Sequence, residues 1–248
     1  MRALLPKITV ALTAVADSIF RWLPGGAWGG DVRAARWLLL RHFQGIGVGA
    51  TPYRVSRARR RYRERHEVTV LRRRLAFRLD LSLIDALELW QVSTTAQEQA
   101  QPVSELTFVV RLKPGVSLER VPLLTSATAR PEGAGLRLEW WGFEWGRLPL
   151  LVDRLRADTR LNNCLAHHLQ ADFPQRLRIT ALSEKALGIT TPYDPQRLPS
   201  RQLLDCYETI AAHACAYIAD LNRARAEQEH GPAPSATGGQ PHPPRQRG

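Results

Sequence analysis

Leu75, Phe77, Leu79, Leu81 and Leu83 alternate with Ala76, Arg78, Asp80 and Ser82, and this two-residue period constrains the fold more than any other feature. Successive side chains of a strand point to opposite faces, so the pattern specifies a half-buried β-strand. The alternation returns in Leu106, Phe108, Val110 and Leu112, ended by Lys113-Pro114-Gly115, and again in Leu136, Leu138 and Trp140. Arg178 to Leu182 and Ala186 to Thr190 flank Ser183-Glu184-Lys185 and read as a β-hairpin.

Helical periodicity supplies a cover for these strands. Residues 150–169 place Leu151, Leu155, Leu161, Leu165 and Leu169 at four- or six-residue steps. Over 201–225, Leu203, Tyr207, Ile210, Ala214, Ile218 and Leu221 fall in a narrow arc, with Asp205, Glu208, Ala212 and Asp220 away from it. Residues 84–102 are expected to form a short helix fading into a polar loop. The order of strands, helix, hairpin and helix predicts an α+β domain over 67–228, an antiparallel sheet packed against helices.

The region before it, 1–66, reads as helical and Arg-rich. Thr9, Thr13, Asp17 and Arg21 form a polar stripe opposite Ile8, Leu12, Val15, Ile19 and Trp22, as in an amphipathic helix ending before Pro24-Gly25-Gly26. Three readings stay open for it: a helix docked on the core, a helix lying on a membrane, or a cleaved signal with Ala14-Val15-Ala16 as its site. No apolar run reaches the ~18 residues of a membrane-spanning helix. Asp31 caps a second helix over Ala34 to Phe43, Gly45, Gly47 and Gly49 open a turn, and Thr51-Pro52 starts a short Arg-rich helix ending near Arg65. Residues 229–248 form a Pro/Gly tail without the apolar content to pack, and are expected to be disordered.

Charge is concentrated at the junction of these regions. Arg54 to Arg78 holds eleven Arg against Glu64 and Glu67, which is +9 of the chain's +12. Such a local field attracts polyanions, and guanidinium groups suit bidentate phosphate contacts. A global preference for Arg over Lys also follows from GC-rich coding, but coding does not cluster the side chains. The candidate polyanion-binding residues are Arg54, Arg57, Arg59, Arg60, Arg61, Arg63, Arg65, Arg72, Arg73 and Arg74. Only Tyr53 and Tyr62 are interleaved, so contact with phosphates is expected and base stacking is poorly provided for.

Other constellations carry less. Gly45, Gly47 and Ala50 satisfy G-x-G-x-x-A with Glu67 about twenty residues on, but the preceding WLLLRHF is too short and polar for a central parallel strand. Cys164, Cys206 and Cys215 are an odd set with no disulfide framework, which fits a reducing, cytoplasmic setting. Cys164, His168, Cys206 and His213 would form a zinc site or a Cys–His nucleophile pair if their helices met, but both Cys lie on or beside apolar stripes and read as packing. No metal or cofactor is expected.

Trp140, Trp141 and Trp145 form the densest aromatic cluster. Neighbouring strand residues face opposite ways, so Trp140 and Trp141 cannot share one core; one is covered by a helix as packing, or the cluster is exposed as a candidate partner-binding patch. For the same reason Glu139 and Glu144 do not make a carboxylate pair on a regular strand. The expectation is a non-enzymatic adaptor that holds nucleic acid or the ribosome through its Arg-rich segment and an unknown protein partner through its α+β domain. The alternatives are a membrane-surface protein anchored by the first helix and the polybasic segment, and an enzyme with a Cys/His site.

Overall fold

The computed structural model describes residues 32–53, 59–64, 67–94, 103–119, 123–132, 135–143, 151–168 and 177–229. The expected first helix and residues 230–248 of the expected tail lie outside them. In chain order the elements are α1 (Val32–Gly45), β1 (Ala50–Pro52), β2 (Arg59–Glu64), β3 (Glu67–Leu79), β4 (Ile84–Thr94), β5 (Val103–Arg111), β6 (Leu124–Glu132), β7 (Gly135–Phe143), α2 (Leu151–Ala157), α3 (Thr159–His168), β8 (Leu177–Ser183), β9 (Ala186–Pro192) and α4 (Arg201–Glu229). The protein is α+β. One antiparallel sheet runs β1-β3-β4-β5-β9-β8-β6-β7, with β2 also paired to β3. The late hairpin β8–β9 fills the gap between β5 and β6.

Register explains why the sheet has two unlike faces. Phe77, Leu87, Phe108, Ile189, Ile179 and Thr125 are successive cross-strand partners and make one buried row. One residue over, Glu88, Thr107, Thr190, Arg178 and Ser126 make a polar row on the opposite face. A slip by one residue would exchange the rows, so the apolar row fixes the register. The polar row pairs internally: Thr107 Oγ1 lies 3.1 Å from Thr190 Oγ1, Arg178 donates to Glu105, and Arg73 donates to Glu88. Burial pushes the Glu105 carboxyl above its ordinary range despite the Arg178 guanidinium. Gly188 sits where a Cβ would meet Thr107 Cγ2 at 2.9 Å, so this strand position admits no side chain without movement.

The apolar face is covered by helices. α4 buries Leu204, Tyr207, Ile210, Ala211, Ala214 and Ile218, a face rotated slightly from the expected one, with Leu203 only half-buried. The Tyr207 ring centroid is 4.9 Å from that of Phe108, and each such buried side chain contributes about 1.5–3 kcal/mol. Glu208 Oε1 accepts from Leu83 N at 2.6 Å and Ile84 N at 3.2 Å, tying α4 to the β3–β4 turn. The helix expected over 150–169 is divided at Asp158. Its carboxylate accepts from Leu161 N at 2.9 Å and caps α3, so the chain turns between α2 and α3.

Two elements differ from expectation in kind. Residues 84–94 are strand β4 and not a helix, because Leu87 and Leu89 enter the core while Glu88 and Trp90 enter the polar face. Residues 59–64 are strand β2 and not a helix, paired along its length to β3 from Arg59↔Arg72 to Glu64↔Glu67. Moreover α1 and β1 pack as part of the α+β domain: Ala35, Leu39 and Phe43 share one core cluster with Phe77 and Leu87. The expected division at 66/67 therefore falls between two strands paired to each other.

Candidate nucleic-acid interface

Within the Arg-rich segment, residues 59–64 and 67–78 lie at one edge of the sheet. β1 pairs with the last three residues of β3 and β2 with its first six, so two short strands share the outer side of one long strand. Positions 59, 61 and 63 alternate with 60, 62 and 64 across this ribbon, and position 72 lies opposite 59. Arg72, Arg74 and Arg78 are exposed on β3, with Arg74 at the register shift between Arg73 and Leu75. Arg59, Arg60, Arg61 and Arg63 all belong to β2, whereas Arg54, Arg57 and Arg65 lie outside the described residues.

Arg73 stands apart from this set. Its side chain is 16% exposed, pairs with Glu88, and lies over the Trp90 ring at 5.6 Å from the centroid. Trp90 Nε1 in turn donates to Glu88 Oε2 at 3.0 Å. This guanidinium is committed to the sheet interior. Beside it, burial and then Glu88 push the Tyr53 hydroxyl up, while Arg78 lies over the Tyr53 ring at 5.9 Å.

Helix α1 adds cations from outside the Arg-rich cluster, which the sequence did not connect to it. Ala35, Leu39 and Phe43 point into the core, which turns Arg33, Trp37 and Arg41 outward at four-residue steps. Trp37 is 54% exposed, and the Arg41 guanidinium lies 5.1 Å from its ring centroid. The helix carries no acidic residue and contacts β1 and β3. The i, i+4, i+8 spacing of these three residues was the available signal, masked by the much denser Arg run that begins at Arg54.

The opposite edge, β7, holds the tryptophans. Trp140 is buried, its Nε1 donating to Asn162 Oδ1 at 2.6 Å, whereas Trp141 is 45% exposed on the other face. Trp145 and Glu144 lie outside the described residues. A cleft of about 810 Å³ runs along this edge, lined among others by Arg137, Trp141, Arg156 and Asn163. Asn162 also lines it, with its amide donating to Leu155 O and Asp158 O.

The Cys/His residues are brought together in a different combination. Cys164 is bonded to Cys206, joining α3 to α4, where the odd cysteine count had pointed to no disulfide. His213 Nε2 instead meets Asp158 Oδ2 at 2.9 Å, and the described residues contain no group of three or more metal-ligating side chains. Desolvation pushes the Cys215 thiol up, with Lys113 opposing. Gly47, at φ 72°, belongs to a helix-to-strand turn, the reverse of the strand-to-helix order that a dinucleotide fingerprint needs.

No protein-family model, curated protein or solved structure matches this chain. Among the described residues no helix is long and apolar enough to cross a membrane.

Proposed function

We propose that this protein is a non-enzymatic adaptor that holds a polyanion, nucleic acid or the ribosome, along the edge made by β1, β2 and β3. The support is a single observation: β2 and β3, drawn from the most basic stretch of the chain, form an edge ribbon with Arg72, Arg74 and Arg78 exposed, flanked by a helix with three Arg and no acid. Cations spaced along an extended edge meet successive phosphates without reading base edges, so affinity is high in charge and low in sequence preference. The second attachment, to a protein partner, is at the opposite edge, where the exposed Trp141 and the neighbouring cleft offer an aromatic anchor.

Replacing Arg59, Arg61, Arg63 and Arg72 by Gln tests the first half of this reading. Binding to DNA, RNA and heparin should weaken together by more than tenfold at low salt, with no change in preference among sequences. Equal binding by the parent and the substituted protein would remove the ribbon as the interface.

A further inference from the structure

We infer that Trp37, one helical turn from both Arg33 and Arg41 on the outer face of α1, is a base-stacking position that directs the polyanion edge toward single-stranded nucleic acid. The inference rests on the proposed polyanion reading and names the kind of polyanion. Trp37 is the most exposed large hydrophobic side chain among the described residues, at 54%, and it is not there by looseness of the helix. Leu39 and Phe43 are fully buried on the inner face, and His42 Nε2 lies 2.9 Å from Pro199 O, so the rotation of α1 about its axis is fixed. The indole is therefore presented to solvent by the fold.

Its surroundings select the ligand. Arg33 and Arg41 lie one turn to either side, Arg36 is exposed nearby, and α1 contains no carboxylate to repel a phosphate. The Arg41 guanidinium lies over one face of the indole, 5.1 Å from the ring centroid, so a base stacks on the opposite face with a phosphate-binding group next to it. A duplex offers no unstacked base to an indole, whereas every base of a single strand has a free π-face. A membrane is the poorer fit: the outward stripe holds one aromatic among Arg33, Arg41 and Gln44, too little apolar area to insert. Because α1 contacts β1 and β3, the strand would pass from this platform onto the Arg-bearing edge.

The test compares the full chain with Trp37→Ala and Trp37→Phe on four probes: oligo-uridylate, a random duplex DNA, heparin, and vesicles of phosphatidylserine in phosphatidylcholine. Trp37→Ala should weaken oligo-uridylate binding about tenfold and leave duplex and heparin binding within twofold, as expected for loss of one stacked base. Trp37→Phe should recover most of the loss. Equal effects on oligo-uridylate and heparin, or none on either, would overturn the stacking role while leaving the polyanion reading intact. A loss confined to the vesicles would assign Trp37 to a membrane instead. If the parent binds neither oligo-uridylate, duplex nor heparin, both readings fall.

Discussion

His213 Nε2 lies 2.9 Å from Asp158 Oδ2, so the carboxylate that caps α3 also ties that short helix to the middle of α4. The hydrogen bond from His213, then that from the Leu161 backbone, holds the Asp158 carboxyl below its ordinary value of 3.8. A depressed carboxylate stabilises the fold above its unfolded pKa and loses that contribution as pH falls through the folded value. Asp158→Asn should therefore flatten the acid limb of stability below pH 3.8. Asp158→Ala also removes the cap and should cost about 0.5–2 kcal/mol at neutral pH. Urea unfolding across pH 2–7, taken as about one measurement per unit, separates the two effects.

The Cys164–Cys206 bond closes a loop of 42 residues and clamps α3 on α4. Breaking it with a reductant, or by Cys206→Ser, should lower stability by about 2–4 kcal/mol. Excess dithiothreitol should lower the melting temperature of the parent protein and leave that of Cys206→Ser unchanged. Mass spectrometry of unreduced peptides would show whether the pair is bonded in the purified protein. Recovery of both Cys as free thiols would contradict the pairing.

Arg73 and Glu88 pair on the polar face with side chains only 16% and 9% exposed. Glu88→Ala removes the carboxylate that pairs with a shielded guanidinium and should cost about 3 kcal/mol. Changing both together, Arg73→Met with Glu88→Leu, should cost less, because no charge loses its partner and the remaining loss is the Trp90 Nε1 hydrogen bond to Glu88. A double-mutant cycle by chemical denaturation measures the difference.

Ile210 is fully buried in the middle of α4, beside Tyr207 and Ala214. Ile210→Ala should leave a cavity and cost about 2–5 kcal/mol, without altering the binding of any polyanion.

How much of this was legible in the sequence depended on whether a segment's two faces differ in polarity. β5 and the β8–β9 hairpin set Leu106, Phe108 and Val110, and Leu177, Ile179, Leu187 and Ile189, at two-residue steps, and their strands fall where expected. β6 was missed, because Thr125 takes an apolar position in the core row and Pro131 lies near its end. β4 was misread, since Leu and Glu are good helix formers and Trp90 blurs the alternation. Only the partner strands β3 and β5 reveal that Leu87 and Glu88 face opposite ways. In β2 a weak preference of Arg for helix was outweighed by six residues of pairing to β3. The site was half visible: composition located the Arg run, but not the withdrawal of Arg73, which depends on Glu88, fifteen residues away. Nor could spacing alone bring Cys164 to Cys206, because that needs the packing of α3 on α4.

The central claim, that the β1–β2–β3 edge holds a polyanion, is tested most directly by the salt dependence of nucleic-acid binding. With about five or six phosphates contacted, the slope of log K against log salt should be roughly −5 for duplex DNA. Arg59→Gln with Arg61→Gln should bring it nearer to about −3. A parent protein that binds neither DNA, RNA nor heparin at about 50 mM salt, or whose slope is unmoved by these substitutions, would contradict the account.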